Sequence, residues 1–214
     1  MDIQTRKKLP YEEVDTATLR QALAHYASPD DKIGDMVSRG ELLRLRRGLY
    51  AVSPASRRSA LSLEILANAL YGPSYLSLEY ALSWYGMIPE RVTELTSVCL
   101  GRSRSFATAV GTFSYCSLKK LAYVDGFDIM PLDDGRSFLM AVREKALVDL
   151  VENRRHVRIA SMKDMAVRLL EDMRMDESTL WELNLERVEA FAAHYGSVKT
   201  NLLVRFLRRL RGER

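Results

Sequence analysis

Along the chain the apolar positions switch between helical and strand periods, and most switches coincide with a capping or turn residue. Asp15 predicts the start of a helix with Ala17, Leu19, Leu23, Ala24 and Ala27 as its apolar positions. Ser28 as N-cap with Pro29 at the first helical position predicts a second helix to about Arg39. Its apolar residues are Ile33, Met36 and Val37; Asp30 and Asp31 fall in the first turn, where the helix dipole favours them, and Gly40 is the stop. Between 40 and 54, Leu43, Leu45, Leu49 and Ala51 alternate with Arg44, Arg46 and Tyr50, which predicts a β-hairpin turning at 46–48.

After the linker ASRRS, 60–71 reads as a helix stopped by Gly72-Pro73, and Ser74 or Ser77 begins another with Leu78, Ala81, Leu82 and Tyr85 on one face. Strands are predicted over 93–100, 105–110, 112–118, 127–131 and 137–141, with turns at 101–103, Gly111 and 133–135. From Val142 the helical period returns through Ala146, Leu147 and Leu150. Ser161 and Asp164 resemble a capping box ahead of the stripe Met162, Met165, Ala166, Leu169, Leu170 and Met173, whose methionines read as core filler. A helix with Leu185, Val188, Phe191, Ala192 and Tyr195 stops at Gly196; the last starts near Ser197 with Val198, Leu202, Phe206 and Leu210 on its apolar face.

The fold class expected is α+β. A winged helix-turn-helix over 1–58 precedes a larger mixed α/β domain over 59–214, with a small antiparallel-rich sheet at about 93–141 and C-terminal helices at about 142–211. Two helices and a basic hairpin fit DNA: a short helix presents side chains to base edges, and arginines at a hairpin tip reach phosphate or the minor groove.

Charge sharpens that expectation. Residues 1–58 hold 11 Lys+Arg against 8 Asp+Glu, residues 59–198 hold 15 against 19, and residues 199–214 hold 6 against 1. The two ends are basic and the middle is mildly acidic, which favours an anionic partner at the ends over one at the middle. Within 39–58 stand six arginines and one acid, Glu41. The candidate DNA contacts are Lys32, Ser38 and Arg39 near the bases and Arg44, Arg46 and Arg47 on the wing. Secondary nucleic-acid or partner contacts are Arg102 and Arg104 in the sheet's loops, and Arg205, Arg208 and Arg209 opposite the apolar face of the last helix.

Catalytic signatures are lacking. No P-loop, G-x-G-x-x-G or G-x-S-x-G occurs. His25, His156 and His194 lack metal spacing and read as surface or capping residues. Cys99 and Cys116 can face one another on adjacent strands and read as buried apolar thiols. A nucleotidyltransferase needs Gly-Ser followed by paired metal-binding carboxylates, but Pro73 interrupts Gly72 and Ser74 and no D-x-D follows. Asp133-Asp134-Gly135 is explained by a turn. Glu144-Lys145 lacks the E-x-K spacing of a nuclease, and with Arg143 it reads as a solvated helix face. The expectation is a non-enzyme without metal or cofactor. Without an apolar run of about 18 residues or an N-terminal signal, it is expected off the membrane and in the cytoplasm.

Taken in order, these segments resemble the AbiEi family of type IV antitoxins. Residues 28–52 end in a helix followed by G-x-L-x-x-x-x-x-G-x-Y, anchored by Gly40, Leu42, Gly48 and Tyr50. Residues 74–89, SYLSLEYALSWYGMIP, and 111–115, GTFSY, are similar to further family segments. Residues 141–150 follow A-x-x-E-K-A-L-x-D-L through Ala141, Glu144, Lys145, Ala146, Leu147, Asp149 and Leu150. The resemblance covers about 28–152. It implies a DNA-binding domain that represses its own operon at inverted repeats, in a phage abortive-infection setting. It also implies a C-terminal domain that counteracts an AbiEii-type nucleotidyltransferase toxin, directly or indirectly. Asp30 stands where such proteins often carry a basic or neutral residue, which moves the expected phosphate contacts toward Arg44, Arg46 and Arg47. The alternative is a ligand-responsive transcriptional regulator unrelated to a toxin.

Overall fold

The computed structural model describes residues 1–153 and 158–212; His156 lies outside the described residues. The chain is α+β and forms two compact units, Met1–Leu70 with Thr108–Val110, and Tyr71–Ala107 with Gly111–Arg214. The first unit therefore takes in residues 59–70, beyond the 1–58 span that the pattern predicts.

In the first unit the order is α1 (Ile3–Lys8), β1 (Glu13–Asp15), α2 (Thr16–Ala22), α3 (Pro29–Ser38), β2 (Leu42–Arg46), β3 (Leu49–Val52) and α4 (Leu63–Leu70). The predicted hairpin is β2–β3. β1 joins it on the far side, so the sheet order is β1-β3-β2 with both pairings antiparallel. β1 is three residues long, too short for an alternation to show in sequence. Asp15 caps α2 as expected, its side chain accepting from the Thr18 N–H at 2.7 Å. The helix ends at Ala22, so Ala24 and Ala27 lie outside it and are exposed. Ser28 departs from its predicted role: its hydroxyl donates to Asp31 at 2.6 Å and takes no backbone N–H. Gly40 ends α3 with φ +69°; Gly40 N–H donates to Val37 C=O and Glu41 N–H to Met36 C=O, the paired bonds of a Schellman stop. Leu9, Val14, Leu19, Leu23, Ile33, Met36, Leu42, Tyr50 and Val52 form the core.

One buried carboxylate knits this unit's ends together. Glu12, 2% exposed, accepts at one oxygen from Arg6 (2.5 Å), the Arg58 and Ser59 N–H groups (3.0 and 3.1 Å) and the Ser59 hydroxyl (3.1 Å). Burial pushes this carboxyl up, but the Arg58 N–H, the Arg6 guanidinium and the Ser59 hydroxyl outweigh it and hold it below the ordinary 4.5. A depressed carboxyl contributes stability above its unfolded value and loses it as pH falls through the folded one. Glu12→Gln is therefore expected to lower the unit's stability by about 2 kcal/mol near pH 7. It is also expected to flatten the stability–pH curve below about pH 4.5, as checked by circular-dichroism melts down to about pH 3. A variant curve parallel to the parent's would contradict the assignment.

The second unit begins with β4 (Ser74–Leu76), α5 (Leu78–Trp84), β5 (Leu95–Cys99), β6 (Arg104–Thr108), β7 (Gly111–Ser117), α6 (Lys120–Tyr123), β8 (Phe127–Pro131) and β9 (Ser137–Ala141). It continues with α7 (Arg143–Asn153), α8 (Met162–Ala166), α9 (Glu177–Trp181), α10 (Leu185–Tyr195) and α11 (Val198–Leu210). The six-stranded sheet, β6-β7-β5-β4-β9-β8, is mixed where an antiparallel-rich one was expected. β4 pairs antiparallel with β5 and parallel with β9, β5 is parallel to β7, and β8 is antiparallel to β9. Two crossovers, both including helices or hairpins, bring non-neighbouring strands together, and strand order is a long-range property that local period does not carry.

Parallel pairing also separates the cysteines. Val98 lies opposite Cys116 and Cys99 opposite Ser117, so the two thiols point to different faces of the sheet. Cys99 is buried, which pushes its thiol up, whereas Cys116 is half-buried. The capping box at Ser161 and Asp164 forms, but the α-helix it starts widens into a π-helical turn at Val167–Asp172. Met165, Leu169, Met173 and Met175 are core residues. Gly196, at φ +60°, ends α10, and the Ser197 side chain caps α11. Val198, predicted on the apolar face, is the first helical residue after that cap and is 70% exposed; the buried face is Thr200, Leu202, Leu203, Phe206 and Leu207. No helix among the described residues is long and apolar enough to cross a membrane.

Candidate nucleic-acid interface

A concave surface in the first unit is lined by α3 and the hairpin. Asp30, Ile33, Gly34, Val37 and Ser38 come from α3, Arg44, Arg47, Gly48 and Tyr50 from the hairpin, and Thr16 and Arg20 from α2. The α3 contributors follow i, i+3, i+4, i+7, i+8, one stripe of the helix. Two features aim the hairpin. Gly48 takes φ +87°, closing the tight loop, and its carbonyl accepts from the Thr16 N–H at 3.1 Å, tying the tip to the start of α2. A bulge at Leu45 breaks the strand register between Arg44 and Arg46.

That bulge separates arginines that strict alternation would keep together. Arg44 and Arg47 line the concave surface, whereas Arg46 turns away and donates to the Ala69 carbonyl of α4 at 2.9 Å. All three are exposed, and among the described residues neither Arg44 nor Arg47 has an ion-pair partner.

The carboxylates of α3 are each engaged. Asp30 is gripped by both arms of Arg20 at 2.7 and 2.9 Å, an arrangement that lowers the carboxyl and raises the guanidinium. Asp31 accepts from Ser28, and Asp35 is shared by Lys32 (3.2 Å) and Arg39 (2.8 Å). The acids that stood against phosphate contact in the sequence thus serve the helix itself. The cost is that Lys32 and Arg39 lie on the Asp35 side of α3, away from the stripe that holds Ser38; Lys32 also sits 5.1 Å over the Tyr26 ring. Of the candidates from α3, only Ser38 lines the surface. Arg20, Gly34, Thr16 and Tyr50 line it without having been singled out as contacts; Tyr50 was visible as a hairpin position and a family anchor.

The secondary candidates belong to the second unit and are scattered. Arg102 is exposed after β5, and Arg104 lies 5.6 Å over the Tyr71 ring. Arg208 pairs with Glu189 at 2.8 Å, while Arg205 and Arg209 are exposed on α11. Among the other histidines, His25 is exposed and His194 lies 3.3 Å from Asp125.

The largest departure from the sequence-based expectation is in α7. Glu144, Lys145 and Asp149, read as polar helix surface or left unassigned, are 3%, 0% and 0% exposed; only Arg143 is half-exposed. Lys145 pairs with Asp149 one turn on. Asp149 also accepts from the Tyr195 hydroxyl at 2.6 Å and the Ser77 hydroxyl at 2.8 Å. Burial pushes the Asp149 carboxyl up, against the pull of the Lys145 ammonium and the two hydroxyls. Burial and the neighbouring carboxylate both push the Tyr195 phenol up, so it remains a donor. Glu144 accepts from the Asn184 N–H at the start of α10 at 3.1 Å. Gly126, at φ +81°, lies against the Lys145 stem: a Cβ there would sit 2.8 Å from its Cγ and Cδ. A cleft on this unit is lined by Glu79, Glu94, Thr96, Ser114, Cys116 and Asn153 among others.

Neither protein-family models nor curated proteins match this chain.

Proposed function

We propose that the first unit is a winged helix-turn-helix that binds duplex DNA, with β2–β3 as the wing and α3 as the groove-facing helix. The observation that carries this reading is the placement of Arg44 and Arg47, exposed and without an internal carboxylate, beside one stripe of α3. The order α1-β1-α2-α3-β2-β3 with the sheet β1-β3-β2 supports it. We further propose that the chain is an antitoxin of the AbiEi kind, which represses its own operon at inverted repeats and counteracts a nucleotidyltransferase toxin. Support for this second part is the ordered set of resembling segments. The A-x-x-E-K-A-L-x-D-L segment falls on α7, where its charged members are buried, so its role is to build the domain.

DNA binding is tested by mobility shift of the region upstream of its own reading frame across a salt series. Affinity is expected to fall steeply with salt, because each neutralised phosphate releases counterions. No shift with any duplex at low salt would overturn the reading. The antitoxin part is tested by co-expression with the adjacent reading frame's product, scoring growth. A neighbour that is not a nucleotidyltransferase, together with DNA binding released by a small metabolite, would favour the ligand-responsive regulator; the cleft at Glu79, Glu94 and Thr96 is where such a ligand would sit.

A further inference from the structure

Gly34, on the concave surface, is a residue whose identity nothing among the described residues explains. It lies inside α3, and a Cβ placed on it meets nothing within 4 Å. Its backbone is helical, so no left-handed conformation demands glycine, and no packed neighbour demands the missing methyl. Glycine within a helix is nevertheless unfavourable relative to alanine, because it gives up more backbone freedom on folding. The residue carries that cost on the stripe that faces Arg44 and Arg47. One turn on, Ser38 donates its hydroxyl back to the Gly34 carbonyl at 2.9 Å, so this side chain is folded onto the helix instead of projecting. The long cations of α3, Lys32 and Arg39, are on another side and held by Asp35. At Gly34 and Ser38, therefore, α3 presents small groups and its own backbone, flanked on the same stripe by Val37 and by Asp30 in the grip of Arg20.

Resting on the DNA reading above, we propose that Gly34 is a close-approach point. The sugar–phosphate edge of duplex DNA packs directly on the α3 backbone at Gly34 and Ser38, while Arg44 and Arg47 take neighbouring phosphates. The charge of the two free arginines selects a polyanion, and the recessed helix surface between them selects a rigid one that enters as a ridge. Contact by α3 is then steric and backbone-mediated, and the long-range attraction belongs to the hairpin.

The test is Gly34→Ala in the full chain, read by thermal melting and by binding to the upstream duplex and to a mixed-sequence duplex. The thermal midpoint of the first unit is expected to rise by about 2–6 °C, since alanine is the better helix former and has room. Affinity for both duplexes is expected to fall roughly tenfold, as for an added methyl in a filled contact. The salt dependence should stay that of the parent, because no charge is removed. A more stable variant that binds as the parent does overturns the proposal, and if Arg44→Ala with Arg47→Ala still weakens binding, the DNA reading survives that failure. A variant that loses both stability and binding also overturns it, by showing that Gly34 is needed for the fold. A parent chain that shifts no duplex at low salt removes the DNA reading and this inference together.

Discussion

Asp149→Ala is expected to destabilise the second unit by about 3–5 kcal/mol, enough to leave much of it unfolded at physiological temperature. The substitution does more than remove a charge. It strands the buried Lys145 ammonium and removes the acceptor of the buried Ser77 and half-buried Tyr195 hydroxyls. Lys145→Met is expected to be milder, because the two hydroxyls still satisfy the carboxylate and burial already favours its protonated form. The double variant Lys145→Met with Asp149→Leu should recover a large part of the Asp149→Ala loss, since replacing a whole buried pair by apolar groups avoids the cost of leaving one partner behind. Chemical denaturation of the three variants, followed by a probe of the second unit, measures this. Losses that simply add, with no recovery in the double variant, would mean that Lys145 and Asp149 do not act as a pair.

For the first unit, Arg44→Ala combined with Arg47→Ala is expected to weaken duplex binding about 50-fold near 0.1 M salt and only several-fold near 0.5 M. The reason for the convergence is that the lost attraction is counterion release, whose value shrinks as bulk salt rises. The log–log salt slope should fall by about two units, one for each phosphate given up. Both guanidinium groups are exposed, so stability is expected to change little. Lys32→Ala with Arg39→Ala is the informative control. These cations sit beside Asp35, off the concave surface, and their removal is expected to leave the affinity within a few-fold of the parent. If the control pair lost as much as the hairpin pair, the DNA-facing side of α3 would be the Asp35 side. Fluorescence anisotropy with labelled duplex at several salt concentrations separates the two outcomes.

Local signals were legible where one or two residues decide the backbone. Asp15 and Ser161 cap helices, Gly40 and Gly196 end them, Gly48 closes the hairpin, and β8 and β9 begin and end where alternation put them. β1 and β4, of three residues each, escaped because no alternation can show in so short a run, and α6 and α9 because a single helical turn shows no repeat. The basic hairpin was legible as a cluster of arginines, but not which of them work together. A single bulged residue, Leu45, sends Arg44 and Arg46 to different neighbours.

The α7 segment shows the limit most clearly. Arg143, Glu144 and Lys145 in a row look like solvated helix surface, since charged side chains are seldom fully buried unless paired. The burial of Glu144 and of the Lys145–Asp149 pair depends on Ser77, Tyr195 and Asn184, which lie 40 or more residues from the carboxylates they bond. By itself, then, the sequence determined the helices and strands of ordinary length, the stops between them and the basic character of the hairpin, because these follow from neighbours within a turn or two. Tertiary structure alone decided the strand order, the burial of Lys145 and Asp149, and the grouping of Arg44 and Arg47 with Gly34. Each of those depends on which distant groups arrive to satisfy a charge, a backbone edge or an empty space, and no local period encodes that.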